Sequence, residues 1–465
     1  MGNGTSMIIS NHDNYWKHDD DIYMYVGGKV NVKDKGQIRH VQVDESVTKI
    51  DDGTFSHCVN LSSITNLHKT MKEIGDGSFH GCATIQVVDL YNTSIEIIGI
   101  CSFAFCTNMK QIILPPNNTI KEIKYGCFRN CNQLTFIDLE HTAIEKIDNH
   151  TFFSCISLKS IKFPTTLQCI GLGSFRGCTN LSSIDLRTTS VISIDNHAFD
   201  SCSALMYVNF PKTIKYIDGN SFCFCTSLRK IDMSETSIES IGNHAFMFCS
   251  KLETIIFSKS LKVIGQGTFR DCTSITSLDF REASLLEKID HQAFYNCTNL
   301  STINRSSNTT KNGQGRNDET APHSNMAVLS TSLVEIGDYI FNDCPKLIDT
   351  VLHTNSIHYE CDINRGGRKF LQRHDNNNNN NHHHKDDNNN GKAYPSSLWP
   401  HILYRIIHKL KLPKQRIRSN EKNLTVYTYA MPVRRFTIIY YFLIHGIVMD
   451  VQILENTKKG KDTKM

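Results

Sequence analysis

The sequence predicts an α/β repeat solenoid with a parallel sheet on one face and short helical turns between the strands. The first observation is a Phe-x-x-Cys motif that occurs twelve times between Phe55 and Cys344, about once every 24 residues. The second is an apolar skeleton, Leu-x-x-Ile-x-Leu, which recurs inside the units, for example from Leu181 to Leu186. Units of this length bury their apolar side chains only by stacking on their neighbours, so a solenoid is the expected architecture.

Each predicted unit contains a strand, a turn and a second apolar pair. In one unit, Ile184 and Leu186 belong to the strand, and Val191 and Ile194 form the pair. Phe and Cys, three residues apart, share one face of a helical turn that points both into the core. The sequence therefore predicts a leucine-rich-repeat array of about twelve units. The motif residues that we assign to its core are Phe128, Cys131, Phe152, Cys155, Phe175, Cys178, Phe199, Cys202, Phe222, Cys225, Phe246 and Cys249.

The repeat pattern divides the chain into four regions. Residues 1–37 form a polar N-terminal segment or cap, and residues 38–350 form the solenoid. An Asn- and His-rich linker follows at 351–394, and a small, basic helical region at 395–465. The last step between motifs is 47 residues long, which places one insertion at 306–328 in a loop of the last unit. This insertion is either a disordered loop or a binding element.

Cysteine usage and charge indicate the compartment. Twelve of the 17 cysteines belong to the repeat motif, and the N-terminus shows no apolar signal-peptide core. We therefore expect reduced, buried thiols and an intracellular, cytoplasmic protein. Gly2 fits the minimal myristoylation pattern, but one acyl chain binds membranes only marginally. The apolar segment 436–454 is too short and too interrupted to span a membrane as a helix.

Two kinds of unit alternate along the array. One kind carries Asp at the penultimate strand position, where side-chain alternation directs it out of the core. These five residues are Asp89, Asp138, Asp185, Asp232 and Asp279. They lie two repeats apart, roughly 9.6 Å, which is too far for a calcium ladder. We predict them as contacts for a protein partner; the alternative is that they only keep the strand face hydrated.

A second alternation lies two residues before each Phe, where Gly, Asn or His is usual. Histidine occupies this position at His150, His197 and His244. Their spacing of roughly 9.6 Å excludes a shared zinc ion. Because Gly, Asn and His are the types found at positive φ, we predict a left-handed residue here. Cys101, Gln292 and Tyr339 depart from this preference.

No motif in the chain indicates catalysis. A Gly-rich phosphate loop, an HExxH helix, a nucleophile elbow and a CxxC pair are all missing from the sequence, so we predict no enzyme and no cofactor. Residues 395–465 carry a net charge of +9, against −5 for the remainder. This tail could contact nucleic acid or a membrane surface, or be a solvated basic helix.

The segments Ser-Phe-Arg-Gly-Cys-Thr-Asn-Leu-Ser-Ser-Ile at 174–184 and Phe-Pro-Lys-Thr-Ile-Lys-Tyr-Ile-Asp at 210–218 resemble the BspA-like class of leucine-rich repeats. The resemblance covers roughly residues 38–350. It implies a binding scaffold, which occurs in surface adhesins and in intracellular proteins of single-celled eukaryotes. The stretch from Ser396 onward looks like a tail found on some eukaryotic members.

Our leading hypothesis is an intracellular, non-catalytic and monomeric scaffold that binds a protein partner of unknown identity on its strand face. It predicts no small-molecule substrate. The competing hypothesis is a cell-surface adhesin, which would show oxidised cysteines or occupied glycosylation sites. A weaker third hypothesis assigns nucleic-acid or membrane binding to the basic tail.

Overall fold

The computed structural model describes residues 22–304 and 332–347 in full. Outside these ranges it describes the backbone of eight further strands: Tyr15–Lys17, Met326–Ala327, Thr350–His353, His358–Cys361, Gln415–Arg418, Thr425–Val433, Phe436–Leu443 and Met449–Glu455. The chain divides into two compact units, Met1–Asn377 and Asn378–Met465. Each is described by itself below.

The first unit is a solenoid with two strands in each repeating coil, which confirms the predicted leucine-rich-repeat fold. The longer strands of successive coils run parallel, with Ser183 opposite Tyr207 and Asp185 opposite Asn209. We call them the long strands, and their outer surface the long-strand face. The long strands are Ile22–Tyr25, His40–Val43, Ser63–Thr65, Val87–Asp89, Gln111–Ile113, Phe136–Asp138, Ser160–Lys162, Ser183–Asp185, Tyr207–Asn209, Lys230–Asp232, Thr254–Ile256, Ser277–Asp279 and Thr302–Asn304.

A two-residue strand follows in each coil, and these short strands also pair in parallel. They are Lys49–Ile50, Glu73–Ile74, Ile97–Ile98, Glu122–Ile123, Lys146–Ile147, Cys169–Ile170, Ser193–Ile194, Tyr216–Ile217, Ser240–Ile241, Val263–Ile264, Lys288–Ile289 and Glu335–Ile336. One residue of each pair faces inward, as Ile194 does, and the other faces outward. The short strands therefore close the second side of the core.

A continuous stack of phenylalanine rings fills the third side. Each motif Phe from Phe55 to Phe341 packs on the motif Phe of the next coil, with ring centroids 5.1–5.7 Å apart. Among the described coils, a second Phe meets the stack edge-on at Phe163, Phe210, Phe257 and Phe280. The first three belong to the kind of unit without the strand Asp, whereas Phe280 follows Asp279, so this ring does not strictly separate the two kinds of unit.

The turns that carry Phe and Cys are not helical, and this corrects the prediction of short helical turns. Among the described residues none lies in a helix. The residue two positions before Phe and the residue two positions after it both have positive φ, for example His197 at 56° and Ser201 at 64°. Left-handed residues interrupt any right-handed helical run. Some backbone hydrogen bonds of the turn lie within it, and others join it to the next coil. For example, the N–H of Phe199 donates to the carbonyl of Ser221.

The left-handed position before Phe is confirmed in all twelve turns, including those with Cys101, Gln292 and Tyr339. The second left-handed position, after Phe, was not predicted. The structure also explains why bulky and small residues alternate at the first position. The ring of His150 lies over Gly173 in the next coil, where an added Cβ would come 2.8 Å from the ring atoms Nδ1 and Cε1.

Replacing Gly173 with Ala is expected to destabilise the solenoid by about 2 kcal/mol or more. A left-handed backbone costs an L-residue roughly 1–2 kcal/mol, and the contact with His150 adds to that cost because 2.8 Å is too short for a Cβ. Urea denaturation, followed by circular dichroism, would measure the loss.

Gly53 provides the matched control. Its φ is +64° and no atom lies within 4 Å of its added Cβ, so Gly53→Ala carries only the backbone cost. In a chain that already carries His150→Ala, the added loss from Gly173→Ala should fall to that of Gly53→Ala. An added loss as large as that of Gly173→Ala in the native chain would show that the ring contact does not matter.

The last coil continues the array past the predicted insertion. Glu335–Ile336 pairs with Lys288–Ile289, and Phe341 stacks on Phe294 at 5.5 Å. The predicted insertion lies almost entirely outside the described residues. Most of the predicted linker and the whole of the predicted myristoylation site at Gly2 also lie outside them. At the other end, Ile22–Tyr25 pairs in parallel with His40–Val43 and extends the sheet beyond the first complete unit.

The second unit contains a four-stranded antiparallel sheet in the order Gln415–Arg418, Thr425–Val433, Phe436–Leu443, Met449–Glu455. The prediction of a helical region is therefore wrong for these residues. The β-branched and aromatic run Thr437-Ile-Ile-Tyr-Tyr-Phe442 favours a strand, but an apolar run has no periodicity to separate it from a buried helix. The predicted helix start at 396–410 lies outside the described residues. The described part of the chain holds no helix of the length and hydropathy needed to cross a bilayer.

Candidate interaction surfaces and the repeat core

The long-strand face presents large apolar side chains to solvent. Phe136 and Tyr207 occupy the first position of their strands and are 40% and 51% exposed, and Val87 is exposed in the same way. The next residue in each strand, such as Ile137 or Val208, is buried. Strand alternation therefore fixes these exposed side chains on the outer surface.

The five predicted aspartates also point outward from the long strands. Each lies between two buried residues and is itself exposed or half-buried, as Asp185 is between Ile184 and Leu186. Each carboxylate accepts a hydrogen bond from the N–H two residues later, at 2.9–3.2 Å. Aspartate thus closes the turn that ends the strand, a local role that the sequence pattern did not suggest.

Basic side chains neutralise four of the five aspartates. Arg187 binds Asp185 through two nitrogens, and Lys162 lies 3.0 Å from Asp138. Lys230 pairs with Asp232 at 3.0 Å, and Arg281 with Asp279. The hydrogen bonds from Arg187 lower the pKa of Asp185.

Asp89 forms no ion pair with any described residue. The five aspartates therefore do not make the long-strand face a uniform negative stripe, because basic side chains lie beside four of them.

The motif residues assigned to the core are fully buried. All twelve of these Phe and Cys side chains, from Phe128 to Cys249, are 0% exposed. The cysteines are free thiols throughout the described residues. In each coil after the first, the Cys S–H donates to the carbonyl of the Phe in the preceding coil, at 3.1–3.3 Å. The donors are Cys82, Cys106, Cys131, Cys155, Cys178, Cys202, Cys225, Cys249, Cys272, Cys297 and Cys344.

These thiols give a physical reason for the repeated cysteine. A Cys side chain is small enough for the core and still carries a donor for a buried carbonyl. Burial raises the pKa of Cys58 to about 11 and those of Cys106 and Cys155 to about 12. At neutral pH these side chains are therefore protonated core residues, whereas a nucleophile needs the thiolate.

The histidines before Phe do not form a shared site. His150 and His244 each lie over a glycine of the next coil, and His197 lies 3.1 Å from the buried carboxylate of Asp200. Burial, followed by the charges of Arg129 and Arg176, lowers the pKa of His150. Within residues 22–304 and 332–347, no three His, Cys, Asp or Glu side chains are grouped to hold a metal ion.

Comparison with known proteins gives one family match. The family model for the BspA type leucine rich repeat region, which contains six copies, matches residues 32–155, 121–249 and 233–348. No curated protein sequence matches the chain.

Solved structures to which the chain is similar include two bacterial proteins. One is a leucine-rich repeat protein from Bacteroides ovatus, with 22% identity over 74% of this chain and 94% of that one, and a TM-score of 0.47. The other is a leucine rich cell surface protein from Faecalibacterium prausnitzii, with 18% identity over 76% of this chain and 95% of that one, and a TM-score of 0.40.

Proposed function

The chain belongs to the BspA-type leucine-rich-repeat family, and from that premise we propose that it is a non-catalytic scaffold that binds a protein partner on its long-strand face. Repeat arrays of this family are generally protein-interaction or recognition modules. A solenoid displays an extended surface made of many equivalent positions, which suits contact with a long partner segment.

The observation that supports this proposal most is the exposure of Phe136 and Tyr207 on the long-strand face. Aromatic side chains are enriched among the residues that dominate binding energy, and they lose little conformational entropy on binding. Both lie on strands held by the core on one side, so they are positioned before a partner arrives. Preorganisation of this kind lowers the cost of association.

The five aspartates fit this proposal as surrounding polar contacts. Because four of them are already paired, a partner would gain little from their charge alone. Asp89, which has no ion pair within the described residues, is the best placed of the five to meet a basic side chain. The apolar side chains would then supply most of the affinity and the aspartates part of the specificity.

A comparative pull-down with the full-length chain tests this proposal. Proteins retained from extract of the source cells should be lost when Phe136 and Tyr207 are both replaced by Ser, because each buried anchor contributes on the order of 2 kcal/mol. A second variant carries Asn at all five aspartate positions. Asn keeps one oxygen that can accept the turn hydrogen bond and removes the charge, so a weaker loss of binding is expected.

Tyr216→Ser is the matched control, since Tyr216 is 43% exposed on a short strand. It should retain the same proteins as the native chain. Equal retention by the native chain and the Phe136, Tyr207 variant would contradict a binding role for the long-strand face.

We also propose an intracellular, reducing location. The eleven bonded thiols are consistent with it, because a chain rich in cysteine would form wrong disulfides while folding in an oxidising compartment. Thiol titration of denatured protein taken directly from its source tests this. All cysteines should react, whereas a surface adhesin that folded under oxidising conditions would show fewer free thiols.

A further inference from the structure

The surface formed by the twelve Phe–Cys turns has a composition unlike the rest of the solenoid. We consider the six positions from three before each motif Phe to two after it. They contain neither Lys nor Glu in any turn. Around the short strands, by contrast, Lys and Glu pair repeatedly, for example Lys262 with Glu239 at 2.9 Å. Lys and Glu are the residues most depleted from protein interfaces, where aromatic residues, Met and Arg are enriched.

One arginine on this surface has no counter-charge. The guanidinium carbon of Arg129 lies 4.8 Å from the ring centroid of Phe153. Arg129 forms no ion pair within the described residues, and its Nε is buried without a hydrogen-bond partner there. The other arginines of the turns are compensated: Arg176 lies 3.1 Å from Asp200, and Arg270 lies 3.3 Å from Asp271. The positive charge of Arg129 is therefore available to a partner.

Exposed apolar side chains lie in the turn of Arg129 and in nearby turns of the array. Tyr125 in the same turn is 38% exposed, and Leu172, two coils further on, is 37% exposed. Ile100 and Phe105 in the preceding coil are exposed to a similar extent. The ring of His150 connects the group, at 5.5 Å from Tyr125 and 5.6 Å from Phe153. We define the Arg129 patch as Ile100, Phe105, Tyr125, Arg129, Phe153 and Leu172.

We propose that the Arg129 patch is a second docking surface, which binds an acidic segment of a partner protein with apolar side chains next to the acid. A carboxylate of that segment pairs with the guanidinium of Arg129, and its neighbours pack on Tyr125 and Leu172. The ring of Phe153 beneath Arg129 holds the guanidinium in place, so little side-chain entropy is lost on binding. Charged hydrogen bonds to carboxylates are the stronger kind that arginine forms.

The charge of the patch favours a peptide over nucleic acid. Nucleic-acid binding depends on several cations that neutralise successive phosphates. The patch offers one unpaired arginine and no lysine, and burial together with Arg129 and Arg176 lowers the pKa of His150, which keeps that ring neutral near pH 7. Apolar side chains around a single cation instead match a short acidic and apolar peptide.

Selection of peptides on the full-length chain tests the proposal without knowledge of the partner. The probe is a phage-displayed library of random peptides, and selected sequences are then synthesised and measured by fluorescence anisotropy. We expect them to contain Asp or Glu beside Leu, Ile or Phe.

Arg129→Gln and, separately, Leu172→Asp should each weaken binding about tenfold or more. The first substitution removes the cation that pairs with the acid of the peptide, and the second adds a negative charge that repels it. Both positions are at the surface, and circular dichroism checks that the variants fold.

Arg187→Gln on the long-strand face is the matched control and should bind the selected peptides as the native chain does. The Phe136, Tyr207 double variant should also bind them normally, so this proposal and the proposed function succeed or fail separately. Three results would overturn the inference: no enriched peptides, enriched peptides without acidic residues, or acidic peptides that bind Arg129→Gln as well as the native chain. Tighter, Arg129-dependent binding of a single-stranded oligouridine would assign the patch to nucleic acid instead.

Discussion

Raising the pH from 8 to 10 is expected to unfold the solenoid cooperatively. Burial raises the pKa of Cys58 to about 11 and those of Cys106 and Cys155 to about 12, and it raises the pKa of Cys178 and Cys225 well above the ordinary value. An unfolded thiol titrates near the ordinary value of 9.0. Between these two values the unfolded chain loses protons that the folded chain keeps, so stability falls as the pH rises.

The expected loss is large because many thiols act together. Each contributes about 1.4 kcal/mol for every pH unit above its unfolded pKa. The ten bonded thiols from Cys82 to Cys297, whose pKa values are all raised, would therefore remove more than about 10 kcal/mol near pH 10, which is comparable to the whole stability of an ordinary domain. Below pH 9 this contribution to stability is fully present.

Ultraviolet absorbance of the thiolate, followed together with circular dichroism under a reductant, would measure this transition. Thiolate should appear in the same narrow pH range in which the structure is lost. Lysine and tyrosine side chains have ordinary pKa values near 10, so they do not explain a transition that begins near pH 9. Gradual thiolate formation centred near pH 9 without loss of structure would contradict the buried thiol network.

Phe199→Ala is expected to destabilise the solenoid by about 3–5 kcal/mol, the usual cost of emptying a buried Phe site. Phe199 stacks on Phe175 at 5.1 Å and on Phe222 at 5.2 Å, and its side chain is fully buried. Neighbouring coils are held apart by the strand ladders, so they cannot collapse into the space that the ring leaves. Interruption of the stack should also separate the unfolding of the coils on its two sides.

Urea denaturation of the variant would show a lower midpoint and a broader or two-step transition. Phe136→Ala is the matched control because Phe136 is 40% exposed, and its loss should cost less than about 1 kcal/mol. Equal effects of the two substitutions would be inconsistent with a core organised around the Phe stack.

Periodicity was sufficient to predict which residues form the core. A Phe and a Cys that return every 24 residues occupy equivalent places, and stacking then buries them. The bond from each thiol to the preceding coil could not be predicted in this way, because it depends on how the turn is oriented. The second left-handed position is Gly, Asn, Asp or His in seven of the twelve turns, but residues such as Phe105, Phe224 and Ser154 in the others obscure this preference in the sequence.

Strand alternation predicted the outward direction of the aspartates but not their electrostatic surroundings. The prediction rested on the five aspartates alone and did not include the basic residues beside them. In the structure, Arg187 and Arg281 pair with the aspartate two residues earlier, and Lys162 reaches Asp138 from the next strand. Pairs of this kind depend on strand register and on side-chain rotamers, which a repeat pattern does not specify.

Site-specific photo-crosslinking tests the central claim, partner binding on the long-strand face, most directly. Three exposed tyrosines mark the three surfaces: Tyr207 on a long strand, Tyr216 on a short strand and Tyr125 in the Arg129 patch. Each is replaced in turn by benzoylphenylalanine in the full-length chain, and extract of the source cells is irradiated with it. Partner binding on the long-strand face predicts a specific protein adduct at position 207 and none at position 216, while position 125 reports on the second surface independently. An adduct at position 216 without one at position 207 would contradict it.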